Sequence, residues 1–87
     1  MAYNITFSPD GWADYLYWQT EDKKTLKRLN RLLQELQRDG AGLGLGKPEV
    51  LRHVKGISKR IDDKNRLHFF IEGENVVVIS CRGHYED

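Results

Sequence analysis

The chain opens with apolar and polar residues in alternation. Tyr3, Ile5 and Phe7 fall on one side of a short half-buried strand. Ser8-Pro9 then starts a helix, the hydroxyl accepting a backbone N–H and proline taking the first helical position. Trp12, Tyr15 and Leu16 share one face of that helix, with Gln19 a turn further on. Thr20 is the expected N-cap of a second helix, with Glu21 and Asp22 at the positive end of its dipole. In that helix Leu26, Leu29, Leu33 and Leu36 recur at intervals of three and four, a core-facing stripe. Lys23, Lys24, Lys27, Arg28, Arg31 and Arg38 occupy other positions. Two antiparallel helices are the simple reading.

Gly40-Ala41-Gly42-Leu43-Gly44-Leu45-Gly46 ends the helix, and beyond it the period becomes strand-like. Val50-Leu51 is a short strand candidate, and Ile57, Lys59 and Ile61 mark another. Asp62-Asp63-Lys64-Asn65 has turn chemistry, and an apolar strand runs from Leu67 to Ile71. Gly73-Glu74-Asn75 turns again into Val76-Val77-Val78-Ile79, the most apolar run and the expected central strand. Turns this short make the strands they join antiparallel neighbours. The predicted fold is α+β: a short N-terminal strand, two antiparallel helices, then a largely antiparallel sheet packed against them. Residues 1–87 read as a single domain without internal repeat or linker.

Composition narrows the setting. No apolar run approaches the roughly 20 residues that a membrane-spanning helix requires. The opening Met1 to Ile5 has no basic region followed by an apolar stretch, so no signal peptide is expected. Cys81 is the only cysteine, which excludes an internal disulfide and fits a reducing, cytoplasmic compartment. The net charge of +1 conceals an asymmetry. Residues 1–22 hold four acids and no Lys or Arg, whereas 23–87 hold all fourteen basic residues against nine acids. The basic residues concentrate in 23–38 and 47–66, a polarity that suits a polyanionic or acidic partner as well as an ordinary solvated face.

Several motifs fail on inspection. The glycine-rich loop before Lys47 lacks the P-loop pattern, having Ala41 and Pro48 where Gly and Ser/Thr are needed, and the strand–loop–helix order is reversed. His53, His68 and His84 are about fifteen residues apart, without the short-spaced pairs of structural zinc sites. Cys81 continues a strand pattern and reads as buried packing. Spacing leaves Ser-His-Asp and Cys-His triads open, because such residues meet only in space.

Metal-independent RNA cleavage needs a base for the 2′-hydroxyl, an acid for the departing 5′-oxygen, and cations for the phosphate. Glu49, Arg60, Arg66, Arg82 and His84 stand at strand starts or ends and supply those residue types. Composition by itself does not select this set over solvated surface residues.

A dispersed pattern does. Trp12-Ala13-Asp14-Tyr15-Leu16-Tyr17-Trp18 and Gly44-Leu45-Gly46-Lys47-Pro48-Glu49-Val50-Leu51-Arg52-His53 are joined by Lys59-Arg60-Ile61, Asn65-Arg66-Leu67 and Cys81-Arg82-Gly83-His84-Tyr85. In order and spacing, over nearly the whole length, this resembles the Txe/YoeB branch of the RelE/ParE superfamily. The resemblance implies a RelE-like microbial RNase fold and the toxin half of a type II toxin–antitoxin pair, a ribosome-dependent mRNA endonuclease using no cofactor and no metal. It implies Glu49 as general base, Arg66 as transition-state stabiliser, His84 as general acid and Tyr85 as a group positioning the scissile nucleotide. Arg60 corresponds to an arginine beside the family site, and Lys47 and Arg52 to RNA or ribosome contacts. Arg82 joins them as a substrate contact. Implied partners are mRNA on the ribosome, ribosomal RNA along the basic helix, and an antitoxin whose acidic segment folds on binding. A second copy in a homodimer and, through the antitoxin, operator DNA are implied as well.

The chain departs from the family pattern in places. Val54-Lys55-Gly56-Ile57-Ser58 is two residues shorter than usual and lacks an aromatic pair. Gly83 replaces a bulkier residue, which would hold His84 less rigidly, and Glu86-Asp87 extend past the usual terminal tyrosine. Two alternatives therefore stand beside the nuclease: a ParE-like toxin that inhibits DNA gyrase and cuts nothing, and a weakly active member serving mainly in autorepression with its antitoxin.

Overall fold

The computed structural model describes residues 2–40, 49–50 and 56–83, with 49–50 described as backbone only. The elements are β1 (Asn4–Phe7), α1 (Pro9–Glu21), α2 (Lys23–Asp39), β2 (Glu49–Val50), β3 (Ile57–Arg60), β4 (Arg66–Glu72) and β5 (Asn75–Ser80). The strand candidate at Val50-Leu51 is met by β2, shifted one residue earlier; Leu51 lies outside the described residues.

Local chemistry sets the helix boundaries. Ser8 caps α1: its Oγ accepts from Gly11 N at 3.1 Å and donates to the Ile79 carbonyl at 3.0 Å, so one hydroxyl both starts the helix and ties it to β5. Thr20 does not cap α2, contrary to the sequence expectation; it lies inside α1. The cap is Asp22, the one residue between the helices that leaves helical dihedrals (φ −157°, ψ 101°). Its carboxylate accepts from Lys24 N at 3.0 Å and Thr25 N at 3.1 Å, reaching two orphan donors at once. The helical hairpin is closed further along by Tyr15 Oη, which donates to Asn30 Oδ1 at 2.7 Å.

The strands form one sheet in the order β1-β5-β4-β3-β2. The pairs β2–β3, β3–β4 and β4–β5 are antiparallel, as the short turns require. β1 pairs with β5 in parallel, Asn4 opposite Asn75 and Phe7 opposite Val78. The middle position belongs to β4, not to the valine-rich β5, because β1 adds beyond β5 while β3 and β2 add beyond β4.

One face of the sheet carries the core. Leu67 and Phe69 of β4 and Val76 and Val78 of β5 meet Leu29, Leu32, Leu33 and Leu36 of α2. Leu32 joins the stripe that sequence periodicity drew through its neighbours, while Leu26 is only half-buried. On α1 the face that carries Trp12 and Leu16 is turned outward. Trp12 and Leu16 are 49% and 47% exposed, and Trp18, 6% exposed, is the buried aromatic. Gly11 explains the rotation: a Cβ there would lie 2.4 Å from the Val78 carbonyl oxygen, so the helix can lie against β5 only along this edge. Trp12 instead stacks on Tyr15 and meets the tilted Phe7 ring at the surface. Lys59, on the same sheet face, is buried with Nζ 3.6 Å from Glu35 of α2.

Candidate active site

Strand alternation sends Ser58, Arg66 and His68 to the face opposite the helices. Ser58 is fully buried and His68 nearly so. Ser58 stands directly opposite Glu49 on one side and His68 on the other. Arg66 leans across to it: Nε donates to Ser58 Oγ in a short hydrogen bond, and Nη2 donates to the Ser58 carbonyl at 3.2 Å. The strand position of the candidate base and the guanidinium of the candidate phosphate ligand are thus both referred to one serine.

The 62–65 turn ties this edge to the C-terminal segment. Asp62 Oδ1 accepts from Lys64 N and Asn65 N, both at 2.8 Å, closing an Asx-type turn. Asn65 Nδ2 donates to the same carboxylate at 3.0 Å, which leaves Asn65 Oδ1 to accept from Gly83 N at 2.8 Å. Arg66 N donates to the Gly83 carbonyl at 2.9 Å. Gly83 has φ +86°, a conformation natural to glycine, and is fixed through both its N–H and its carbonyl immediately before His84. Desolvation raises the Asp62 carboxyl, but the hydrogen bonds from Lys64, Asn65 and Thr25 outweigh it and hold the group below its ordinary range.

Helix α1 grips the approach to Gly83. Three of its residues, each about a turn apart, meet Cys81. The Gly11 carbonyl lies 3.7 Å from Sγ, Asp14 Oδ2 accepts from Cys81 N at 3.0 Å, and Trp18 Nε1 donates to the Cys81 carbonyl at 2.8 Å. Burial, with help from Asp14, pushes the Cys81 thiol up to about 12, so this side chain is packing rather than nucleophile.

The other predicted residues are distributed as follows. Arg60 is the direct strand partner of Arg66, but its exposed guanidinium pairs with Asp63. Arg82 stacks over the Tyr17 ring, 3.6 Å from its centroid. Neither side chain joins Arg66 at Ser58. Lys47, Arg52, His84 and Tyr85 lie outside the described residues, as do the 51–55 portion of the shortened segment and the Glu86-Asp87 tail. Sequence reasoning missed Ser58, Asn65 and the role of Asp62. Alternation with Ile57 and Lys59 could have put Ser58 on the non-core face, but nothing in the sequence marks its hydroxyl as the partner of Arg66. Among the described residues no three His, Cys, Asp or Glu side chains group as a metal site, and no helix is long and apolar enough to cross a membrane.

Comparison with known proteins shows the family. The family model for the YoeB-like toxin of bacterial type II toxin–antitoxin systems matches residues 7–85. Toxin RelK of Mycobacterium tuberculosis is 42% identical over 84 residues, covering 94% of this chain and 98% of its own. The solved structure of the YoeB dimer from Staphylococcus aureus superposes with a TM-score of 0.87 at 41% identity, covering 98% of this chain and 100% of the other. The heterotetrameric YoeB-YefM toxin–antitoxin complex from the same organism gives 0.84 at 41% identity, with the same coverage.

Proposed function

The chain belongs to the YoeB-like toxins of bacterial type II toxin–antitoxin systems, and we propose that it is a ribosome-dependent mRNA endoribonuclease. Glu49 removes the 2′-hydroxyl proton, and the resulting alkoxide attacks the adjacent phosphorus. The P–O5′ bond breaks, His84 protonates the leaving oxygen, and a 2′,3′-cyclic phosphate remains. Arg66 stabilises the charge that builds on the equatorial oxygens, for which a planar guanidinium is well suited. Tyr85 positions the scissile nucleotide, and Lys47, Arg52, Arg60 and Arg82 contact the RNA backbone, the last two on leaving Asp63 and Tyr17.

The observation that supports this reading is the convergence at the β3–β4 edge. Arg66 is held at Ser58, Ser58 is the strand partner of Glu49, and the backbone of Arg66 binds the residue before His84. The exposed side of the helical hairpin adds a groove of about 490 Å³ lined by Lys23, Lys27 and Arg31 together with Gln19 and Asn30, which suits ribosomal RNA or an acidic antitoxin segment. The relatives solved as a dimer and as a toxin–antitoxin complex support an antitoxin partner and a homodimer here. The setting is the cytoplasm, where such partners are found.

The test is purified protein in a cell-free translation reaction with a defined message, mapping fragment 5′ ends. Cuts are expected only on ribosome-engaged mRNA, and to persist when EDTA is added to preformed complexes that keep enough magnesium for ribosome integrity. Glu49→Ala and His84→Gln should each lose about 10²–10⁴-fold in rate. Unchanged rates in both variants refute the assigned chemistry, and gyrase inhibition without cleavage identifies the ParE-like alternative.

A further inference from the structure

We propose that Ser58 is a positioning residue that fixes the Arg66 guanidinium on the site face through its hydroxyl and its carbonyl. The proposal rests on the endoribonuclease reading for its catalytic consequence, though not for its geometry. The direct strand partner of Arg66 is Arg60, and two guanidinia side by side repel. The structure separates them. Arg60 turns outward to Asp63, while Arg66 crosses diagonally to Ser58, two residues back along β3. The hold is two-pointed, Nε on the hydroxyl and Nη2 on the carbonyl of the same residue, so it fixes the plane of the guanidinium as well as its position.

The chemical type of the anchor matters. A carboxylate at this point would hold the arginine as firmly and cancel the charge that a phosphorane-like transition state requires. A serine hydroxyl is a neutral acceptor and adds no negative charge of its own. Its complete burial keeps water from competing for Nε. A serine next to the strand position of the base, opposite His68 and eight residues before Arg66, is therefore part of the site's framework rather than strand filler.

The test has two arms. The first follows hydrogen exchange of the Arg66 Nε–H by NMR, which reads the anchor whether or not the protein cleaves RNA. In Ser58→Ala this proton should exchange at least about tenfold faster, while the backbone amides of β4 and β5 stay protected. Ser58→Thr, which keeps the acceptor, should retain the slow exchange. The second arm measures cleavage on programmed ribosomes. Ser58→Ala should lower kcat about 10- to 100-fold and move half-saturation less than about threefold. In an Arg66→Ala background it should change the rate by less than about twofold, because the residue it positions is gone. Unchanged Nε–H exchange in Ser58→Ala overturns the proposal, as does a full loss that persists in the Arg66→Ala background. A wild-type protein that cleaves no ribosome-bound message refutes the endoribonuclease reading instead, and the exchange arm alone then decides whether Ser58 holds Arg66.

Discussion

Trp18→Phe separates the two tryptophans and measures what the grip of α1 on Cys81 is worth. Phenylalanine keeps most of the buried apolar surface but has no N–H. The Cys81 carbonyl, which now accepts from Trp18 Nε1 at 2.8 Å in a buried setting, loses that donor. A buried acceptor left without its partner costs about 1–3 kcal/mol. The smaller ring adds about 1 kcal/mol for incompletely filled space. The sum is about 2–4 kcal/mol, which for a chain of 87 residues corresponds to a fall in melting temperature on the order of 10–30 °C. Trp12→Phe is the control: that side chain is half-exposed and its ring contacts survive the change, so it should cost no more than about 0.5 kcal/mol. Differential scanning calorimetry of both variants reads the difference. Hydrogen exchange should show loosening concentrated at Cys81 and Gly83, since Cys81 loses one of its ties to α1. Equal shifts in the two variants, or a Trp18→Phe shift under about 4 °C, would refute the reasoning.

Three further outcomes follow from particular groups. Asp22, held down chiefly by the Thr25 backbone N–H, and Asp62, held down by its hydrogen bonds against desolvation, both have folded-state acidities below the ordinary value of 3.8. Their stabilisation is therefore complete above that value and lost as pH falls through the folded values. Melting temperature should fall below about pH 4, less steeply in Asp62→Asn, and flat acid melts would contradict this. With its thiol shifted from 9.0 to about 12, Cys81 should alkylate with iodoacetamide about 1,000-fold more slowly in the native protein than after unfolding; comparable rates would show that it is accessible. Among the described residues a Cβ at Gly83 meets no heavy atom within 4 Å, so the effect of Gly83→Ala is conformational, about 1 kcal/mol or 4–8 °C in melting temperature. Gly83→Asn should recover part of that loss, and no difference between the two would place the cause elsewhere.

The site was legible to different depths at different positions. Arg66 stood out by residue type, strand-end position and motif, and its environment proved to be a framed one. Arg60 and Arg82 were equally visible as cations, yet their partners Asp63 and Tyr17 were not, because an ion pair or a ring stack depends on where a neighbouring turn or helix brings the second group. Ser58 was invisible as a functional residue: a serine in a strand is commonplace, and its meaning lies in a side chain that arrives from eight residues away. Gly83 was expected to leave His84 loosely held. His84 itself lies outside the described residues; the Gly83 backbone before it is fastened at two points, by bonds that need the 62–65 turn already folded.

Features that depend on neighbours within a few residues were readable from the amino-acid string. These were the Ser8-Pro9 helix start, the amphipathic α2, the turns around 62–65 and 73–75, and hence the antiparallel succession β3-β4-β5. Capping, helical periodicity and turn chemistry act over distances of two to four residues, so the local string contains them. Tertiary structure decided the rest. It chose Asp22 over Thr20 as cap, Trp18 over Trp12 as core aromatic, and β4 over β5 as the middle strand. It also added β1 in parallel to β5 and set Arg66 on Ser58. Each of these choices turns on contacts between residues distant in sequence or on which of two competing local solutions packs. The Gly11–Val78 approach, 67 residues apart along the chain and with no room for a Cβ between them, is the clearest case.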